Sequence, residues 1–360
     1  MGVQKAWKRS TGRGVTVALV DGKPNLKLPE FAGGDIRHGR TPGEVDPTKK
    51  EWASESHGTS MLGLIAAQGG ESGYMGVAPD ARVVSIRKNT TAGLKDLIKT
   101  AIDQGADVVN LSLSRFAIVL NTPDVDCDEH ALEAAAYAAE RDVVLVAAAG
   151  NNESGKNVPQ DPAFCPGYLA VGGLSEQLTP RKKAVHQDYV AVAAPSEQMV
   201  SLHDSGSLYK GDGGTSSAAA LTTAAIALIR AAHPDESARQ IVSRLLYTAQ
   251  DVHTPGRDDY TGYGLVRPDL AIDATVPAGF ANPVYDRLDA RLRQKAEEKE
   301  AQENPPEFVV GGDPNVKRRT SSDWEIYGPW LLGAGVLTLA GGISGFLVFR
   351  RRRRSDARPS

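Results

Sequence analysis

Short apolar runs recur along the first three quarters of the chain, separated by segments in which apolar residues return at helical spacing. Val15–Val20, Arg82–Arg87, Ala106–Leu113, Val143–Ala148 and Tyr168–Gly172 are nearly continuous apolar stretches rich in β-branched residues. That pattern predicts strands covered on both faces rather than strands with one wet side. Between them, Leu94, Leu97, Ile98, Ala101 and Ile102 fall on one helical face, and Glu129–Arg141 is rich in helix formers. A long alanine-rich helix is predicted from Thr215 to Ala232, stopping before Pro234, and another from about Asp235 to Tyr247. Strands alternating with helices imply an α/β fold, a parallel sheet with helices on both faces.

In such a sheet, ligands bind beyond the carboxyl ends of the strands. Asp21 ends the first run and Gly150-Asn151 follows the fourth, so both are placed there. Two further segments carry chemistry: His57-Gly58-Thr59-Ser60 and Gly213-Gly214-Thr215-Ser216-Ser217-Ala218-Ala219-Ala220. An aspartate, a histidine and a serine in that order match the subtilisin arrangement, in which the imidazole takes the serine proton and the carboxylate orients the imidazole. Asn151 adds a side-chain amide able to stabilise an oxyanion, with the Ser216 backbone N–H as a second donor. Taken singly, each of these residues is more commonly a cap or a turn residue. Specificity comes from their combination.

Through VALVDG, HGTSMLGLIA, ADVVNLSLS, VAAAGN, YVAVAAP and GGTSSAAA, the chain resembles the subtilase family over roughly residues 5–275. The resemblance implies a subtilisin-like fold and a serine endopeptidase whose catalytic residues are Asp21, His57 and Ser216. It further implies that Leu113, Ser114 and Arg115 receive extended substrate by strand addition. Ala148, Ala149 and Gly150 would line a specificity pocket. Five positions depart from the family pattern: Gly22 and Lys23 where a hydroxyl residue and glycine are usual, Ser60 for a second histidine, Ser114 for glycine, and Ala220 for proline. Lys23 is expected to bring a positive charge toward Asp21.

Composition changes the picture only near the C-terminus. The formal net charge is −3, but residues 350–360 hold six arginines and one aspartate, a net +5, leaving −8 for the rest. An acidic body excludes general nucleic-acid binding. From 276 to 328 the chain is charged and then Pro/Gly-containing, reading as a solvated helix (285–302) followed by linker. Pro329–Phe349 carries no charged residue and is long enough to span a bilayer as a helix. Trp324, Tyr327 and Trp330 mark one interface, and Arg350–Arg354 place the 350–360 tail in the cytoplasm. The 1–275 peptidase domain would then face outward. Met1–Val20 has no apolar signal region separate from the first strand, so export implies a signal sequence upstream of this chain.

Two cysteines, Cys127 and Cys165, fit no zinc spacing. A domain outside the cell makes a disulfide between them the better reading. Asp124, Asp126, Asp128 and Glu129 form an acidic cluster that reads as plain surface, and no metal or cofactor is expected. A subtilase domain, a linker, one membrane helix and a basic tail are together similar to the mycosins, membrane-anchored subtilases associated with type VII secretion. That likeness implies cleavage of secreted proteins at the outer membrane face, with secretion-system membrane proteins as partners. A competing reading is a catalytically weak module that stabilises a secretion complex.

Overall fold

The computed structural model describes residues 1–44, 55–88, 90–116, 127–152, 155 and 157–304. Within them, seven strands form a parallel sheet: β1 (Thr16–Asp21), β2 (Ile36–His38), β3 (Arg82–Arg87), β4 (Val108–Leu111), β5 (Val144–Ala148), β6 (Tyr168–Leu174) and β7 (Val190–Pro195). Their order across the sheet is β7-β6-β5-β4-β1-β3-β2. The chain therefore leaves β1 for the edge at β2, returns to β3 on one flank of β1, and crosses to β4 on the other. Asp21 pairs in register with Arg87, and Leu19 with Asn110. The reversal places a crevice at the carboxyl ends of β1 and β4, as expected of a doubly wound sheet.

Every residue of β1, β4, β5 and β6 is buried, which accounts for their continuous apolar sequences. One face is closed by the Gly214–Ala232 helix, whose buried residues include Ala218, Ala219, Ala220, Ala224, Ala225 and Ala227. Small side chains on that face let the helix lie close to the sheet and to the Glu55–Ala66 helix beside it. It is the one helix among the described residues long and apolar enough to span a membrane, and 78% of that span is buried, so it is a core helix. The other sheet face carries the Leu94–Asp103 and Glu129–Glu140 helices, which pack on each other.

The strand expected at Arg82–Arg87 is present with those bounds, and those near Val15, Val143 and Tyr168 are present with ends shifted by a residue or two. The expected Ala106–Leu113 strand is shorter, because Ser112 leaves the ladder and binds Ser216. The helix expected from Asp235 starts at Ala238, since Ser237 and Gln240 form a capping box there. The edge strand Ile36–His38, half-buried to exposed, lacks an apolar run and went unread in the sequence.

Past residue 276 a helix runs from Pro283 to Glu303. Val284, Tyr285 and Leu288 in its first turns are buried, and the Gly167 N–H donates to the Val284 carbonyl. Its charged C-terminal turns are exposed, as a solvated helix requires. The predicted membrane segment 329–349, the basic tail 350–360, and Asp124 and Asp126 lie outside the described residues.

Candidate active site

At the end of β1, Asp21 is nearly inaccessible. Its Oδ1 accepts from the Gly22 N–H at 2.6 Å and from His57 Nδ1 at 2.8 Å, while Oδ2 lies 3.0 Å from the same nitrogen. The His57 side chain is 37% exposed against 4% for Asp21, so the ring reaches from the buried carboxylate toward the surface. Gly58 makes that approach possible: a Cβ there would stand 2.2 Å from the Gly22 carbonyl oxygen, which no side chain tolerates. The helix is also tied down from its flank, Thr59 Oγ1 accepting from Asn25 N–H and Ser56 Oγ donating to Asp204.

The imidazole is pushed above its ordinary pKa, first by the negative charge of Asp21. Burial opposes the rise, the hydrogen bond to Asp21 supports it, and the positive charge of Lys88 opposes it. Lys88 directly follows β3, and its backbone N–H donates to the Asp21 carbonyl. Lys23, expected near Asp21, is exposed instead, and its charge acts on His38, whose pKa is lowered by burial first and by Lys23 second.

Ser216 is the third residue of the Gly214–Ala232 helix, where a backbone N–H has no acceptor inside the helix. Its Oγ donates to the Ser112 carbonyl at 3.2 Å, and Ser112 Oγ donates back to the Ser216 carbonyl at 2.9 Å. Behind this pair, Asn110 Nδ2 donates to Ser112 Oγ, and Thr223 Oγ1 donates to Asn110 Oδ1. Asn110, Ser112 and Thr223 are buried, so a polar chain within the core fixes the backbone at Ser216. From the sequence, Asn110-Leu111-Ser112 is expected only as part of the Ala106–Leu113 strand. A polar residue inside an otherwise apolar strand was the available signal.

Asn151, beyond β5, is held by its carbonyl end. Its Oδ1 accepts from Thr215 N–H at 3.1 Å, from Thr215 Oγ1 at 3.2 Å, and from Arg181 Nη1. The Nδ2 group is left without a protein acceptor among the described residues. Gly214, at φ +59°, lies against this amide: a Cβ there would sit 2.8 Å from Nδ2. Arg181 is not part of any motif read from the sequence.

Leu113 and Ser114 are half-buried beyond β4, and Arg115–Phe116 pairs antiparallel with Gln160–Asp161. One edge of the expected substrate strand is thus already taken at Arg115. Ala148 and Ala149 are buried, and the Ala149 carbonyl accepts from the Tyr189 hydroxyl at 3.2 Å. Gln160 packs its side chain on Gly150, where a Cβ would meet Gln160 Cγ at 2.2 Å.

The remaining departures have local explanations. Ser60 Oγ donates to the Leu202 carbonyl at 2.8 Å, tying its helix to the Met199–Leu202/Leu208–Gly211 hairpin. Ala220 sits in mid-helix, fully buried, where it keeps the backbone N–H that proline lacks. Cys127 and Cys165 are bridged, with Cα atoms 5.1 Å apart. Asp128, from the acidic cluster, N-caps the Glu129–Glu140 helix through the His130 and Ala131 N–H groups. No cluster of metal-ligating side chains occurs among the described residues.

Comparison with known proteins agrees with this geometry. The profile of the subtilase family, Peptidase S8, matches residues 12–264. Mycosin-3 of Mycobacterium tuberculosis is 32% identical over 68% of this chain and 64% of its own length. Mycosin-1 of the same organism is 30% identical over 79% of this chain and 74% of its own length. The solved structure of MycP3 protease from the type VII (ESX-3) secretion system superimposes with a TM-score of 0.63 at 29% identity, covering 76% of this chain and 86% of that one. With the matched segment spanning the whole sheet and every residue of the Asp21, His57, Asn151 and Ser216 constellation, the chain belongs to the subtilase family.

Proposed function

We propose that this protein is a serine endopeptidase anchored in the cell envelope that cleaves secreted proteins in association with a type VII secretion system. The observation that carries the proteolytic reading is the His57 imidazole seated on the buried Asp21 carboxylate, in a chain whose Ser216 opens the central helix. Ser216 Oγ attacks the scissile carbonyl as its proton passes to His57. Asp21 fixes the imidazole tautomer and stabilises the imidazolium, which then protonates the leaving amine. Asn151 Nδ2 and the Ser216 backbone N–H receive the developing oxyanion. The Ser112 carbonyl, which holds Ser216 Oγ here, gives up that hydrogen bond as the nucleophile turns to substrate.

The envelope location and the secretion partners rest on likeness to the mycosins and on the apolar 329–349 segment, which supplies the anchor. In this arrangement residues 1–275 form the peptidase domain, facing outward, with 276–328 as the connection and 350–360 in the cytoplasm. One observation favours the catalytically weak alternative: Ser216 Oγ is engaged with a backbone carbonyl. Labelling by a fluorophosphonate separates the two readings. Wild-type protein should be labelled and should cleave an unstructured protein substrate, and Ser216→Ala should do neither. An unlabelled, properly folded wild type would leave only the assembly role.

A further inference from the structure

Arg181 lies outside the catalytic motifs, yet only 2% of its side chain is exposed. Nη1 donates to Asn151 Oδ1 and, at 3.3 Å, to the Lys183 carbonyl, and Nη2 donates to Asp212 Oδ2 at 2.7 Å. Nε is buried without an acceptor among the described residues. Burying a guanidinium is costly, and a carboxylate partner that is itself 52% exposed offsets that cost only in part. Packing alone would be served as well by an apolar side chain of similar volume. What distinguishes this site is the atom that the charge touches.

We propose that Arg181 is a positioning residue of the oxyanion hole, an assignment that rests on the proteolytic reading above. A carboxamide has nearly the same shape when its oxygen and nitrogen exchange places. Only its hydrogen-bond partners decide which end faces the substrate. Around Asn151 all three partners are donors, two from Thr215 and one from Arg181. In the flipped state Nδ2 would face those donors, leaving buried N–H groups unpaired, so Nδ2 is kept toward the cleft. Both Thr215 donors come from the start of the Gly214–Ala232 helix, whereas Arg181 arrives from the loop after β6. The guanidinium also polarises the amide, making its N–H a better donor as negative charge grows on the substrate oxygen.

A second contact extends the effect to the nucleophile. Asp212 receives Arg181 on Oδ2 and accepts the Gly214 N–H on Oδ1 at 3.0 Å. Arg181 therefore joins the Asn151 loop to the turn that delivers Ser216, fixing oxyanion donor and nucleophile relative to each other. Small errors in that spacing are expensive in rate.

The test is a mutant cycle in the full-length chain with a small peptide substrate. Arg181→Met should lower kcat by ~10- to 100-fold with KM within about 2-fold, since the lost interaction matters only in the transition state. Inhibition by a peptide aldehyde, whose Ser216 adduct places an oxygen in the hole, should weaken by a similar factor. In an Asn151→Ala background the same substitution should cost several-fold less than in wild type, because most of its effect runs through Asn151 and only its hold on the Asp212 turn remains. If Arg181→Met fails to fold, Arg181→Lys carries the same cycle, with part of the loss recovered by its one ammonium nitrogen, which can reach Asn151 or Asp212 but lacks the guanidinium's fork. Equal losses in both backgrounds, or a raised KM with kcat unchanged, would overturn the assignment. A wild type inert to fluorophosphonate overturns the proteolytic reading itself, whereas an active wild type with additive losses overturns only the role of Arg181.

Discussion

On the β1 side of the sheet a single buried carboxylate orients the His57 ring, while on the β5 side the Asn151 amide is oriented by a guanidinium, a hydroxyl and a backbone N–H together. The difference follows from what each side must hold. An ionised carboxylate offers equivalent oxygens and accepts from any direction, so the Gly22 N–H and His57 suffice to fix Asp21. A carboxamide has two unlike ends and must be told which way to face. The acid–base half can therefore be built from residues close in sequence to its motifs. In the proposed reading the oxyanion half recruits Arg181 from a loop outside the motifs, through Asp212 at the edge of one of them.

The two halves should fail differently, the first more severely. Asp21→Asn preserves shape but presents an N–H or a weaker acceptor to His57 Nδ1, so the ring loses both its tautomer and its partner charge. Turnover should fall by ~10⁴-fold. Because Asp21 is the first cause of the raised His57 pKa, the residual activity should appear at lower pH than in wild type. A residual activity with an unmoved acid limb would show that Asp21 does not control the imidazole.

On the other half, Asn151→Ala removes one donor and leaves proton transfer intact. It should cost ~10²- to 10³-fold in kcat, with KM and the pH profile almost unchanged. If Asn151→Ala instead shifts the pH profile as Asp21→Asn does, the two halves are not separable and the comparison fails.

The same contrast explains what was legible in the sequence. Buried parallel strands announce themselves as apolar runs, so the sheet and the ends at Asp21 and Asn151 could be read directly. His57 and Ser216 stand in short motifs whose glycines have steric causes, Gly58 against Gly22 and Gly214 against Asn151. Arg181 gave no such signal: in Thr179-Pro180-Arg181-Lys182-Lys183 it reads as one of three surface cations. Only the fold shows that the first of the three turns inward while its neighbours stay exposed. Lys23, next to Asp21 in sequence, is exposed and acts on His38, while Lys88 from the end of β3 is the cation that acts on His57. The edge strand Ile36–His38 escaped because an exposed strand has no apolar pattern to show.

The smallest expected effect tests the charges at the rim of the acid–base half. Free enzyme needs a neutral His57 to accept the serine proton, and Asp21 raises the imidazole pKa, so kcat/KM should rise through an acid limb above the ordinary histidine value of about 6.5. Lys88 opposes that rise by disfavouring the imidazolium. Removing its charge in Lys88→Met should lift the His57 pKa further and move the acid limb to higher pH, with the alkaline plateau unchanged. Lys23→Thr, acting on a charge directed at His38 instead, should leave that limb in place. Both profiles belong at low ionic strength, since salt screens a rim cation and should shrink the Lys88 shift. An acid shift for Lys88→Met, or an equal alkaline shift for Lys23→Thr, would return Lys23 to the place its sequence neighbourhood suggests and leave Lys88 without a role at the site.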